Sequence, residues 1–146
     1  RGLLALAEDT EWVIIHDGVR PFVAAEKIAQ CLQRAKETGA AVLAVPVKDT
    51  IKQVDSGGKI TNTPDRRSLW AVQTPQAFRL PVLKQAHEQA ALASYRATDD
   101  AMLLERLGIA VHVVEGDYSN IKITTPEDLR WAEYYLQHLQ GERGQQ

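Results

Sequence analysis

The chain has 146 residues, 45% hydrophobic and 25% charged, with a formal net charge of −2. That is the size and composition of one ordinary globular domain, and its charge gives no electrostatic reason to propose nucleic acid or an anionic membrane as partner. The single cysteine, Cys31, excludes an internal disulfide and fits a reducing compartment, and no apolar run approaches the roughly 20 residues of a membrane helix.

The sequence opens with Arg1 rather than Met, and "RGLLALAED" reads as the body of a helix with Leu3, Leu4 and Leu6 on its inner face. No cap precedes it, which predicts the later part of a longer protein. Trp12 to Ile15 is a continuous apolar run, as in a strand covered on both faces. Helical spacing follows from about Ala24 to Thr38 through Ile28, Cys31, Leu32 and Ala35, with Gly39 as its stop. "AVLAVPV" (41–47) is a second buried strand, bent or ended by Pro46. Strand, helix, strand in this order predicts a right-handed parallel crossover.

The middle differs. "DTIKQVDSGGKITNT" reads as two short strands around Asp55-Ser56-Gly57-Gly58, a hairpin mixed in polarity on both faces and suited to a projecting arm over about 48–66. The α/β pattern then resumes. "TDDAMLLERLG" is a helix capped by Thr98 or Asp99 and stopped by Gly108, and "IAVHVVEG" is a strand. "TTPEDLRWAEYYLQHL" is the clearest helix, with Thr125 as cap, Pro126 in the first turn and Asp128 closing a capping box. Residues 141–146 read as a frayed, flexible tail. Nothing divides the chain into two domains.

Ligands of open α/β sheets sit beyond the carboxyl ends of the strands. Asp17 lies at such an end and can hold a hard cation beside phosphate oxygens, while Arg20 offers a planar cation to them. The plainer alternative is that the two only close a turn and pair with each other. Thr74, in "LWAVQTPQAF", either donates a hydroxyl to an anion or sits in a simple turn after a strand. Thr98 is first a helix cap, and its helix N-terminus offers N–H groups that Asp99 and Asp100 oppose for an anion. Lys122 falls on a short strand before the last helix, where a lysine is ordinarily solvated. Arg66 and Arg67 read as solvated loop charges, Cys31 as packing, and His16 as structural. The four histidines have no metal-ligand spacing.

In order along the chain, "HDGVRPF", "PVKDTIK", "TPDRRSLWAVQTPQAF", "TDDA" and "EGDYSNIKITTPEDL" resemble the 2-C-methyl-D-erythritol 4-phosphate cytidylyltransferase family of non-mevalonate isoprenoid synthesis. The resemblance runs from about Trp12 to Leu136. It implies a Rossmann-like nucleotidyltransferase fold, with a mostly parallel sheet, helices on both faces and the hairpin as an arm. It implies transfer of a cytidylyl group from CTP to methylerythritol phosphate with release of pyrophosphate and with Mg²⁺ as the divalent cation. Asp17 matches the family's metal and substrate aspartate, and Arg20 the substrate contact beside it, on the side of the acceptor alcohol. Thr74, Thr98 and Lys122 match positions that hold the sugar phosphate, so Asp17 and Lys122 are the expected catalytic pair. Thr50 and Arg66 match positions that reach from the arm into a partner subunit's site, which implies a homodimer. Arg67 matches no role. The resemblance further implies a cytoplasmic enzyme in a bacterium, or a plastid one in a plant or alga.

The family's nucleotide-binding glycine-rich loop, with its arginine and lysine, is not in this sequence, nor are the family's first strands. The expectation is therefore the C-terminal two-thirds of an enzyme, inactive alone, whose sheet has an uncovered edge. Two other readings compete: a ribitol phosphate cytidylyltransferase, and a non-catalytic sugar-phosphate-binding or dimerisation fragment.

Overall fold

A computed structural model describes residues 2–143. Strand β1 (Trp12–Ile15) leads through a turn to helix α1 (Ala25–Thr38) and strand β2 (Ala40–Pro46). The hairpin strands β3 (Gln53–Val54) and β4 (Ile60–Asn62) follow, then the long strand β5 (Trp70–Arg79) and helix α2 (Leu80–Leu92). Helix α3 (Asp100–Arg106), strand β6 (His112–Glu115) and helix α4 (Pro126–Arg143) complete the chain. The main sheet has the order β1-β5-β2-β6. β5 is antiparallel to both β1 and β2, and β2 is parallel to β6.

The β1-α1-β2 unit thus runs in the expected sense without forming a neighbouring pair, because β5 is inserted antiparallel between its two strands. β5 can do this because it is ten residues long and gives one edge to each neighbour. Among the described residues β1 pairs with β5 alone, and its Ile14 is 36% exposed. The opening segment is a short 3-10 helix, Gly2–Ala5, rather than a longer helix, and Leu3 packs on the core from it. Helix α2 is an element that the sequence reading passed over, although Leu80, Leu83, Ala86 and Ala90 are buried along it at helical spacing.

Alternation along the central strands divides the core in two. Ala40, Val42 and Phe78 pack with Leu83 of α2 and Leu104 of α3, whereas Ala41, Leu43 and Ala77 pack with Cys31 and Ala35 of α1. Small residues on β2 let α1 lie close to the sheet. Gly39 ends α1 at φ +95°, a conformation open to glycine, and its N–H bonds to the Ala35 carbonyl. The expected capping box of α4 is formed: the Asp128 carboxylate accepts from the Thr124 and Thr125 N–H groups, and the Thr125 hydroxyl accepts from the Asp128 N–H. α4 runs on to Arg143, into the segment expected to be a tail, and 144–146 lie outside the described residues.

One irregularity positions everything that follows. Val42 pairs with Gln76 and Ala44 with Val72, so Gln73, Thr74 and Pro75 stand opposite Leu43 alone. Pro75 has no N–H for the ladder, and the strand bulges here. A buried carbonyl left out of a ladder needs another donor. Asn120, 1% exposed, supplies it: its Nδ2 donates to the Thr74 carbonyl at 2.9 Å and to Gln73 Oε1 at 3.3 Å. Gln73 in turn donates from Nε2 to the Asp117 carbonyl at 2.8 Å.

Gly116 lies against this cluster, and a Cβ there would stand 2.4 Å from Gln73 Oε1. Gln73 is 6% exposed and cannot swing into water without abandoning its partners. Gly116→Ala is therefore expected to destabilise the fold by about 2 kcal/mol, the cost of leaving buried polar groups unpaired; an unchanged denaturant midpoint in equilibrium unfolding would count against the clamp.

Candidate functional site

The turn after β1 closes through the Arg20 N–H, which donates to the Asp17 carbonyl. Its side chains converge on one carboxylate oxygen. Asp17 Oδ2 lies 3.2 Å from Arg20 Nε and 3.2 Å from Lys122 Nζ. Lys122 comes from about a hundred residues further along the chain. It sits on an extended loop and not on the strand expected for it. That loop is tied to the turn by the Ile123 N–H, which donates to the Val19 carbonyl at 2.8 Å, and by Arg20 Nη1, which donates to the Asn120 carbonyl at 2.7 Å. So Asn120 holds the bulge with its side chain and Arg20 with its backbone.

Thr74 meets the same turn from the bulge. Its hydroxyl accepts from the Asp17 N–H at 2.9 Å and lies 3.0 Å from His16 Nδ1. Thr74 is thus a strand residue made available by an irregularity, not part of a turn after a strand. Thr98 completes the wall opposite. The cleft, about 350 Å³, is lined by Asp17, Arg20, Thr74, Thr98, Asp99 and Lys122, among others. All five residues predicted at the cleft from the main body of the chain are brought together.

Of the two candidates for the α3 cap, the structure selects Asp99, whose Oδ1 accepts from the Met102 N–H at 2.9 Å while its Oδ2 accepts from Gln76 Nε2 at 3.0 Å. Asp100 is engaged by His87 Nε2 at 2.8 Å. Among the described residues the Thr98 hydroxyl makes only a long 3.6 Å contact with Met102 Sδ.

Burial would raise the Asp17 carboxyl, but the hydrogen bonds from Lys122 and Arg20 and their positive charges outweigh it and hold the group below the ordinary value. The site is therefore one carboxylate between two cations, with net positive charge from these three groups. Only Oδ2 of Asp17 is engaged among the described residues, which leaves Oδ1 for a ligand. No group of three or more His, Cys, Asp or Glu side chains among the described residues is placed to hold a metal.

Thr50 and Arg66 do not line this cleft. Residues 48–63 are all exposed, and the hairpin is pinned by its own turn, where Asp55 Oδ1 accepts from the N–H groups of Gly57 and Lys59. Arg66 lies in a 3-10 turn capped by Asp65 and reaches the Lys48 carbonyl at the arm's base. Arg67 is paired with Asp65 in solvent. Cys31 is fully buried, its thiol pushed up to about 11 by desolvation, and it packs with Sγ toward the Ala41 and Pro75 carbonyls. Its role is packing. The sequence reading did not single out Gln73, Gln76 or Asn120; the signal for the two glutamines was the presence of amides inside an otherwise apolar strand, and Asn120 carried no local signal.

The family profile described as IspD, 2-C-methyl-D-erythritol 4-phosphate cytidylyltransferase, matches residues 1–138. Curated relatives of that name are 55% identical over 127 residues in Bacillus licheniformis and 57% identical over 135 residues in Geobacillus thermodenitrificans, covering 87% and 92% of this chain. The chain spans 54% and 58% of those relatives' own length. Among solved structures, the 4-diphosphocytidyl-2C-methyl-D-erythritol synthase of Anaerococcus prevotii superposes with a TM-score of 0.88 at 39% identity, over 93% of this chain and 61% of the other. The corresponding Thermus thermophilus cytidylyltransferase gives 0.82 at 38% identity, over 91% of this chain and 64% of the other. Profile, relatives and fold agree: the chain belongs to the 2-C-methyl-D-erythritol 4-phosphate cytidylyltransferase family.

Proposed function

We propose that this chain supplies the acceptor-binding part of an enzyme that transfers a cytidylyl group from CTP to 2-C-methyl-D-erythritol 4-phosphate, releasing pyrophosphate. The observation that carries the reading is the meeting of Asp17, Arg20 and Lys122 in one cleft with Thr74 and Thr98. The chemistry asks little else of the protein. A phosphate oxygen of the acceptor is already ionised at neutral pH, so it attacks the α-phosphorus of CTP without a general base. The barrier is then lowered by alignment and by neutralising charge between two anions. Lys122 would hold the acceptor phosphate with a hydroxyl bond from Thr98. Arg20 would stand on the side of the acceptor alcohol, where the free lone pair of Thr74 Oγ1 would accept from a polyol hydroxyl, and no covalent enzyme intermediate is needed.

A divalent cation fits this donor set. Mg²⁺ is commonly held by one or two carboxylates plus substrate phosphates, and Asp17 offers one carboxylate oxygen to the cleft. Such an ion, when bound, supplies positive charge at the α-phosphate. Thr50 and Arg66, exposed on the arm and absent from this cleft, would complete the site of a second subunit in a homodimer. The buried, unpaired Cys31 suits a cytoplasmic setting.

Tests belong in the protein extended to the length of its relatives. It should turn over CTP with methylerythritol phosphate, and turnover of ribitol phosphate alone would reject the assigned acceptor. Asp17→Ala and Arg66→Ala should each lower kcat/KM by about 100-fold or more. Mixed dimers of these two variants should regain activity, since one site then holds both native groups; no recovery despite verified subunit exchange rejects the shared site.

The charge of Asp17 also has a pH signature. Its folded carboxyl is held below the ordinary 3.8, so its stabilisation is fully present above that value and is lost as pH falls below it. The stability difference between wild type and Asp17→Asn should stay level from neutral pH to about 3.8 and shrink below it. Denaturant unfolding across that range measures it, and a difference already shrinking near neutral pH would contradict the depressed carboxyl.

A further inference from the structure

The turn, the bulge and the Lys122 loop are joined by a closed circuit of hydrogen bonds. The Asp17 N–H donates to Thr74 Oγ1 at 2.9 Å, and Thr74 Oγ1 lies 3.0 Å from His16 Nδ1. His16 Nε2 lies 3.0 Å from the Arg20 carbonyl oxygen. Arg20 Nη1 donates to the Asn120 carbonyl at 2.7 Å, and Asn120 Nδ2 returns to the Thr74 carbonyl at 2.9 Å. His16 is exposed, yet both of its ring nitrogens are engaged.

The partners fix the ring's proton. A carbonyl oxygen only accepts, so Nε2 must carry the hydrogen. In the neutral ring Nδ1 is then a lone pair, and it accepts the Thr74 hydroxyl proton. Thr74 Oγ1 is left accepting from the Asp17 N–H, which is what that distance shows. The other neutral tautomer would set the Nε2 lone pair against the Arg20 carbonyl. Each donor in the circuit therefore has one acceptor, and the rotation of the Thr74 hydroxyl and the path of the backbone at Arg20 are set by one side chain.

We infer that His16 is a positioning residue for the acceptor site, acting through Thr74 and Arg20 without touching substrate. It holds the threonine hydroxyl and the arginine turn at a fixed separation across two segments 54 positions apart in sequence, Arg20 and Thr74. Its exposure gives it little part in the core, so its loss should loosen the site rather than unfold the chain. This rests on the reading of Thr74 and Arg20 as groups that hold the acceptor.

The test uses the full-length protein and two readouts. In ¹⁵N NMR of the histidine rings at mildly alkaline pH, His16 should show a protonated Nε2 and a bare Nδ1, and Thr74→Val should shift the Nδ1 signal. A protonated Nδ1, or a ring averaging freely between tautomers, overturns the circuit. In steady-state kinetics, His16→Ala should raise KM for the polyol phosphate about tenfold, as for loss of one or two hydrogen bonds, with KM for CTP unchanged. His16→Asn keeps an acceptor where Nδ1 stands and should recover much of that loss. A fall in kcat with both KM values unchanged is what a smaller folded fraction gives, and it would overturn the positioning role. Should wild type fail to turn over any polyol phosphate, the proposed reaction falls, while the tautomer still decides whether His16 holds Thr74.

Discussion

The Thr74 carbonyl has to be satisfied away from the ladder, and most of the site's geometry follows from how this is done. β5 is squeezed between two strands and carries a proline where a ladder donor would stand. The resulting bulge puts three residues opposite Leu43. Asn120 answers the freed carbonyl, and this fixes the loop 117–123 against the sheet. The same loop brings Lys122, and the backbone of Asn120 receives Arg20. A regular β5 would offer no such opening to Asn120, and Lys122 would have no reason to meet Asp17.

Electrostatics then acts on a frame already set by hydrogen bonds. Arg20 is largely buried, its side chain 13% exposed, and would be costly there without Asp17 and the Asn120 carbonyl. Lys122 is 47% exposed and forms a looser, water-screened contact with the same oxygen. The two cations therefore differ in what they can do. Arg20 is held as part of the frame, whereas Lys122 can leave Asp17 at small cost when an anion enters the cleft.

Much of this was legible in the sequence. Helix α1 with its glycine stop, the capping box of α4 and the hairpin at Asp55–Gly58 follow from local rules of spacing and turn chemistry, and the structure has them where expected. The residues of the main-body site were found through ordered motifs, since each alone was ambiguous between ligand and cap or turn. What was not legible is non-local. No local rule says that β5 will part β1 from β2. The bulge was invisible because "QTPQ" fits a turn as well as a distorted strand. Asn120 was missed because its role exists only when residues 46 positions apart, Asn120 and Thr74, are brought together.

The charges in the cleft are arranged so that occupation rearranges pairs rather than creating them. Asp17 shares one oxygen between Arg20, which is held in the frame, and the looser Lys122. In the proposed reaction the Lys122 ammonium would pass to the acceptor phosphate, and Asp17 would keep Arg20 as its partner. In that reaction the Arg20–Asp17 pair would act as a preorganised charge arrangement, which lowers a barrier without a reorganisation cost at the moment of reaction. Thr74 matters there beyond its one hydroxyl. Its hydroxyl accepts from the Asp17 N–H and meets the His16 ring, and its carbonyl accepts from Asn120 Nδ2. A shift of Thr74 would move the carboxylate, the arginine turn and the lysine loop together.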